Sequence, residues 1–163
     1  MNQSSEAATM HKVLAVLRIT LGVILLVTWY DNLQKGVYTA DGITGLFNYL
    51  FNDNGGGPAF YRAIIENTIL QAPGLFASFQ MVAELLMGLG LLFGFLTPLA
   101  GLGALLFFLN LTLAYLGGNE WIWIYVLLSS AAFTVAFTRA GRGFGIDQWL
   151  LNKRGDPPFW LLW

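Results

Sequence analysis

The sequence contains no cysteine. Within this chain, that excludes disulfides, thiolate nucleophiles, persulfide carriers, cysteine-ligated iron–sulfur clusters and cysteine-type zinc sites. His11 is the only histidine, so one copy cannot build a bis-histidine haem. No metal-ligand cluster, phosphate-cradling loop or nucleophile–base pair is present. Charge is also scarce: 10% of the 163 residues are Asp, Glu, Lys or Arg, against about 25% in a typical soluble domain. A soluble domain needs a polar surface that this composition cannot supply. Eight basic against nine acidic residues give a net charge of −1, with nothing to draw nucleic acid.

What is there is apolar: 56% hydrophobic and 15% aromatic residues, with a mean hydropathy of +0.63. Four spans of about 20 residues use about half of such a chain. The remainder suffices for one sizeable loop and short tails, which excludes a separate soluble catalytic domain, and the apolar content excludes disorder. No internal repeat or low-complexity segment is visible.

The first apolar run is VLAVLRITLGVILLVTWY, residues 13–30. Arg18 interrupts it and no small-x-small cleavage site follows, so it reads as a retained transmembrane helix rather than a signal peptide. From Leu75 to Leu116 only Glu84 is charged. That stretch is too long for one span and right for two, 75–96 and 98–116. Pro98 fits the first turn of the second, where its missing N–H is not needed. Gly117 to Glu120 make a turn into a fourth span, 121–138.

The loop 31–74 is too long to be a structureless connector. Ile43, Leu46, Phe47, Leu50 and Phe51 fall on one helical face. Asn52 to Gly57 break that helix. Pro58 opens another, with Phe60, Ile64 and Ile65 apolar and Arg62, Glu66 and Asn67 polar. Both are too short to span and should lie along the interface or cap the bundle. The tail 139–163 holds an amphipathic stretch, Ile146 to Leu151, and ends in Phe-Trp-Leu-Leu-Trp, suited to the headgroup zone or a neighbouring protein. The fold class is all-α: a polytopic membrane four-helix bundle, one membrane domain over 1–163, with amphipathic interfacial helices in the first external loop.

Lys12, Arg18, Arg139, Arg142, Lys153 and Arg154, six of the eight basic residues, share the side that holds both termini. The positive-inside rule makes that side cytoplasmic. Trp29, Tyr30, Tyr115, Trp121, Trp123 and Tyr125 then form an outer aromatic belt, and Trp149, Trp160 and Trp163 mark the inner interface.

Arg18 and Glu84 are the charges inside the expected spans, and each costs several kcal/mol in hydrocarbon unless paired or hydrated. Arg18 lies roughly 8 Å and Glu84 roughly 18 Å from the cytoplasmic ends of their helices, at about 1.5 Å per residue. A direct pair therefore needs staggered helices. Two roles stay open for Glu84: structural ion pairing, or a proton-handling or quinone-contacting carboxylate in a polar pocket. Asn110 either bonds across helices, for around 1 kcal/mol, or extends a pocket with Glu84 and Gln80. His11 reads as a solvated surface histidine, or as one axial ligand of a chlorin in a pigment complex. Gly90-x-x-x-Gly94 and Ala100-x-x-x-Ala104 suit close helix packing.

Four segments carry a family resemblance: LRITLGVILL, GPAFYRAIIEN, AELLMGLGLLFGFLTPLAGLGALLFFLNLTL and GRGFGIDQWL. Together, over roughly residues 11–151, they resemble the DoxX-like membrane proteins, which include the DoxD-type small subunit of thiosulfate:quinone oxidoreductase. By position, Arg18, Glu84, Arg142 and Asp147 match the family's recurrent polar residues. The resemblance implies a small subunit of a redox or electron-transfer assembly in a bacterial or archaeal inner or plasma membrane. The first expectation is an auxiliary subunit with a quinone or lipid pocket near Glu84 and no covalently bound cofactor, its partners being membrane lipids and other membrane subunits. The second is a catalytic membrane subunit of a thiosulfate:quinone oxidoreductase, which needs a partner for the sulfur chemistry. The third is a small transporter using Glu84 and Arg18, disfavoured by the lack of broken helices or an inverted repeat.

Overall fold

In hydrocarbon, every backbone N–H and C=O must find its partner inside the segment, so each long apolar run becomes a helix. The computed structural model describes residues 3–163, with side chains from Thr9 onward. In chain order the helices are α1 (Gln3–Gln34), α2 (Ala40–Asn48), α3 (Ala59–Asn67), α4 (Pro73–Phe93), α5 (Thr97–Tyr115), α6 (Trp123–Phe137) and α7 (Ile146–Arg154). A π-helical turn, Tyr49–Asp53, prolongs α2, and 3-10 turns occupy Ile69–Gln71 and Ala140–Arg142. Among the described residues there is no strand.

Among the described residues, three helices are long and apolar enough to cross a membrane: α1 over Thr9–Gln34, α4 and α5. Only 28% of the apolar window of α1, and of α4, is buried inside the molecule. Val16, Val27, Phe79, Leu86, Leu106 and Leu127 project outward instead. In water such a surface would be an aggregating patch; in lipid it is the expected exterior. The chain is a multi-pass helical membrane protein.

Helix ends differ from the expected limits for local reasons. α1 continues past Tyr30 to Gln34, and Lys35 bonds Asp31 one turn back at 2.6 Å. α4 stops at Phe93 rather than residue 96, because Gly94 turns left-handed (φ 65) and the Phe95 N–H closes on Gly90 O at 2.9 Å. α5 starts at Thr97 with Pro98 in its first turn. The expected fourth span, 121–138, is shorter: α6 has 15 residues, about 22 Å of helix against a hydrocarbon core of about 30 Å.

The bundle is two antiparallel pairs. In the first, α1 crosses α4 so closely that a Cβ on Gly22 would lie 2.6 Å from Leu92 N, and Trp29 Nε1 donates to Met81 O at 2.9 Å. In the second, Gly101 of α5 abuts the backbone of Ala136 in α6. Leu21, Leu25, Leu91, Phe108 and Val135 fill the core between the pairs.

The loop 31–74 caps the bundle rather than lying flat on the interface. Ile43, Phe47, Leu50 and Phe51 are buried, as their spacing requires, against Ala77 and Ala114. On α3 the buried face is Tyr61 and Ile65, while Phe60 and Ile64 point outward, which corrects the expected apolar set. Asn54 fastens the cap to the α5–α6 turn: its backbone and side-chain oxygens both accept the Asn119 N–H, at 3.1 and 3.2 Å. Arg62 clamps the glycine turn, donating to Gly57 O at 2.7 Å and Gly56 O at 2.6 Å. At the other end the aromatic tail folds back on its own bundle, Trp160 stacking on Phe137 with centroids 5.4 Å apart.

Candidate functional site

The intramembrane charges do not pair with each other. Arg18, fully buried, spends its guanidinium on backbone carbonyls: Nη1 donates to Leu91 O at 3.0 Å, and Nη2 to Phe144 O at 3.3 Å and Gly143 O at 3.4 Å. The first acceptor lies at the C-terminal end of α4, where unpaired carbonyls and the helix dipole attract a cation. Glu84 is two turns away, about 11 Å along the helix axis, and bonds elsewhere. The direct pair considered from the sequence is therefore absent.

Asp147 completes the Arg18 cluster from α7. Its Oδ1 accepts the Leu96 N–H at 2.8 Å and its Oδ2 the Thr97 N–H at 2.9 Å, while its own N–H donates to Gly94 O at 2.8 Å. A side chain from the tail thus caps the start of α5, satisfying donors that a helix N-terminus leaves orphaned. Burial pushes the Asp147 carboxyl above its ordinary range, against the opposing pull of the Thr97 and Leu96 donors and of Arg18. A Cβ on Gly94 would strike the Arg18 guanidinium, and one on Gly141 would strike Asp147 and the Thr97 hydroxyl. Both glycines are room for the cluster, which is scaffold.

A groove of about 810 Å³ runs between α4 and α5. Phe79, Met87, Leu106 and Phe107 wall it, Phe47 and Leu50 close it under the cap, and Phe95 and Ile146 stand at the far end. Three polar side chains line it: Gln80, Glu84 and Asn110. Glu84 is fully buried, and its Oε2 accepts the Tyr38 hydroxyl at 2.7 Å. Gln80 lies one turn earlier on α4 and also lines the groove, and Glu84 Oε1 makes no hydrogen bond. Across the groove, Asn110 Oδ1 accepts the Tyr61 hydroxyl at 3.0 Å.

Both tyrosines reach in from the cap. Burial, reinforced by the hydrogen bond and negative charge of Glu84, holds the Tyr38 phenol above its ordinary value. Tyr61 is pushed up to about 12 by burial, with Asn110 opposing. The arrangement offers an apolar channel with one carboxylate and two carboxamides on its walls, Glu84 and Asn110 each held by a tyrosine hydroxyl from the cap. It can hold a flat or chain-like apolar molecule and meet its oxygen atoms with hydrogen bonds.

Of the residues singled out from sequence, Gln80, Glu84 and Asn110 come together in the groove. Arg18 and Asp147 meet in the turn cluster instead. Arg142 belongs to neither, donating to Asp156 at 3.2 Å and to Trp163 O at 3.3 Å. His11 is half-buried against the Arg142 segment, not a fully solvated surface residue. Among the described residues no three His, Asp or Glu side chains gather to hold a metal ion.

Tyr38, Tyr61 and Asn54 escape the sequence reading. Tyr38 sits in a turn with no periodicity. Tyr61 does carry a signal, since it shares a face with Ile65 four residues on, but Phe60 and Ile64 offer a more apolar competing stripe.

Comparison with known protein families matches residues 13–116 to the family described as DoxX. The matched stretch holds Arg18, Gln80, Glu84, Asn110 and the two cap tyrosines, Tyr38 and Tyr61, and ends before Arg142 and Asp147. No solved structure matches the chain.

Proposed function

Because the chain belongs to the DoxX family of membrane proteins, we propose that it is a small auxiliary subunit of a membrane redox assembly, holding a quinone or a lipid of similar build in the α4–α5 groove. The observation that carries this reading is Glu84: a buried carboxylate in the wall of an apolar groove, with one oxygen held by Tyr38 and the other unpartnered. Buried polar atoms are ordinarily satisfied, so an orphaned one beside a cavity marks a place where a ligand atom bonds. A quinone has the matching chemistry, an apolar ring and tail with carbonyl oxygens that accept a hydrogen bond from the Glu84 carboxyl when Oε1 carries its proton, and that take up protons on reduction. Tyr38 and Glu84 form the relay nearest to supply them, and the electrons come from partner subunits.

The positive-inside bias supports a reading with both termini in the cytoplasm of a bacterial or archaeal cell and the cap outside. A thiosulfate-oxidising role needs a partner, since the chain has no cysteine to carry sulfur. A transport role finds no support in α1, α4 and α5, which run unbroken through their apolar windows.

Two measurements test the proposal. Mild-detergent purification from the native membrane should bring cofactor-bearing proteins along in fixed ratio; recovery of the chain alone and colourless would sink the subunit reading. An azidoquinone photoprobe should label α4 or α5 and be competed by decylubiquinone. Glu84→Leu should weaken that competition about tenfold, the loss of the hydrogen bond from the carboxyl to the ring carbonyl. Labelling spread evenly over the lipid-facing helices, or untouched by competitor, would remove the groove from the proposal.

A further inference from the structure

A second cleft, of about 710 Å³, opens at the end of the molecule that carries the basic residues. It lies between His11 and Lys12 of α1 and the segment from Arg142 to Asn152, and shares no residue with the groove. Among the described residues, no carboxylate lines it. Lys12 and Arg142 do, and Lys153 stands over the ring of lining residue Trp149, 4.9 Å from its centroid. Among the described residues, the acid paired with these cations is Asp156, which is 82% exposed and holds Arg142 Nη2 at 3.2 Å.

Two side-chain nitrogens of cleft residues, His11 Nδ1 and Arg142 Nε, are buried without a hydrogen-bond partner. Leaving such groups unpaired is costly; Arg142 Nε can only donate, and His11 Nδ1 donates in the tautomer that carries its proton there, so together they fit a ligand rich in acceptor oxygens. The rim adds a second feature. Phe144 and Trp149 are largely exposed, and each lies under a lysine: Lys12 over Phe144 at 5.8 Å, Lys153 over Trp149. Rings at the hydrocarbon boundary with ammonium groups just beyond are the side-chain arrangement of a membrane interface at headgroup depth.

We propose that this cleft binds the phosphate of an anionic phospholipid headgroup, with Lys12, Arg142 and Lys153 supplying the charge and Phe144 and Trp149 resting on the upper acyl chains. Free phosphate would satisfy the same cations but leave both rings unused. Basic pockets beside transmembrane helices recognise anionic lipids through this combination of charge and depth.

The test uses the full chain in nanodiscs containing equal amounts of phosphatidylglycerol and phosphatidylcholine, with native mass spectrometry counting the lipids retained on release. Phosphatidylglycerol should be enriched on the wild-type protein. Lys12→Gln and Lys153→Gln, both at exposed positions that the fold does not depend on, should each lower the enrichment about fivefold. Lys35→Gln, at the opposite end in an ion pair with Asp31, should leave it unchanged. Equal retention of the two lipids, or enrichment indifferent to Lys12 and Lys153, overturns the site. Inorganic phosphate added to the protein in phosphatidylcholine alone should bind weakly; saturation by phosphate with no preference for phosphatidylglycerol would overturn the lipid assignment.

Discussion

Glu84 and Asp147 are both buried carboxylates, and their oxygens separate their roles. Asp147 has each oxygen bound to a backbone N–H that only a capping group can serve. An asparagine in its place would offer one acceptor and turn an amide NH2 against the other donor. Asp147→Asn should therefore destabilise the bundle by about 3 kcal/mol, since it also strips Arg18 of its countercharge. Glu84→Gln should cost far less, because Oε1 has no partner to lose. Unfolding in mixed micelles compares them; equal losses would contradict the division into scaffold and site.

Tyr61 gives the residue scale a pH signature. The folded chain holds its phenolic proton to about 12, against an ordinary value of 10.0. Stability from the buried, protonated phenol is complete below pH 10 and drains as the pH rises toward 12, by about 3 kcal/mol at 1.36 kcal/mol per unit. Tyr61→Phe should flatten that alkaline decline in an unfolding series. A decline of unchanged depth in the variant would place the titration elsewhere. The two charges of the apolar runs, Arg18 and Glu84, stand out in the sequence because charge there is expensive. Their partners do not: Arg18 bonds carbonyls 73 to 126 positions away, and a backbone carbonyl has no sequence signature.

At the scale of elements, α1, α4 and α5 are legible because apolar content alone dictates a helix in lipid, whatever its neighbours. Their limits are less so. Pro98 marks where α5 begins, but the stop of α4 belongs to Gly94, whose left-handed φ is a choice the surrounding turn makes. Packing distance is set by glycines that look alike in the sequence and differ in space. Gly22 presses on the backbone of Leu92, whereas Gly45, in the middle of α2, has nothing within 4 Å of a built Cβ. Gly22→Ala should force α1 off α4 and cost about 1–3 kcal/mol, while Gly45→Ala should stabilise by about 0.5–1 kcal/mol through the unfolded chain and the helix. A neutral Gly22→Ala would mean that α1 and α4 do not touch backbone to backbone.

At the scale of the whole molecule, the groove exists because α4 and α5, joined by a tight turn, each pack on a different partner. The pairs α1–α4 and α5–α6 are held close by glycine contacts, and the groove between α4 and α5 is bounded by Phe47 and Leu50 of the cap at one end and by Phe95 and Ile146 at the other. This places Glu84 midway between the two ends, buried in the groove wall and joined to the cap through Tyr38. Which compartment each end faces decides where a proton in the proposed Tyr38–Glu84 relay would originate. On the proposed orientation, with the cap outside, it would come from the exterior. With no cysteine in the chain, a single introduced thiol reports without background. In intact cells an impermeant maleimide should label Glu66→Cys, exposed on α3, and should reach Lys153→Cys on α7 only after lysis. The reverse pattern would invert the molecule, put the Tyr38 route on the cytoplasmic side, and move the basic cleft to the outer leaflet.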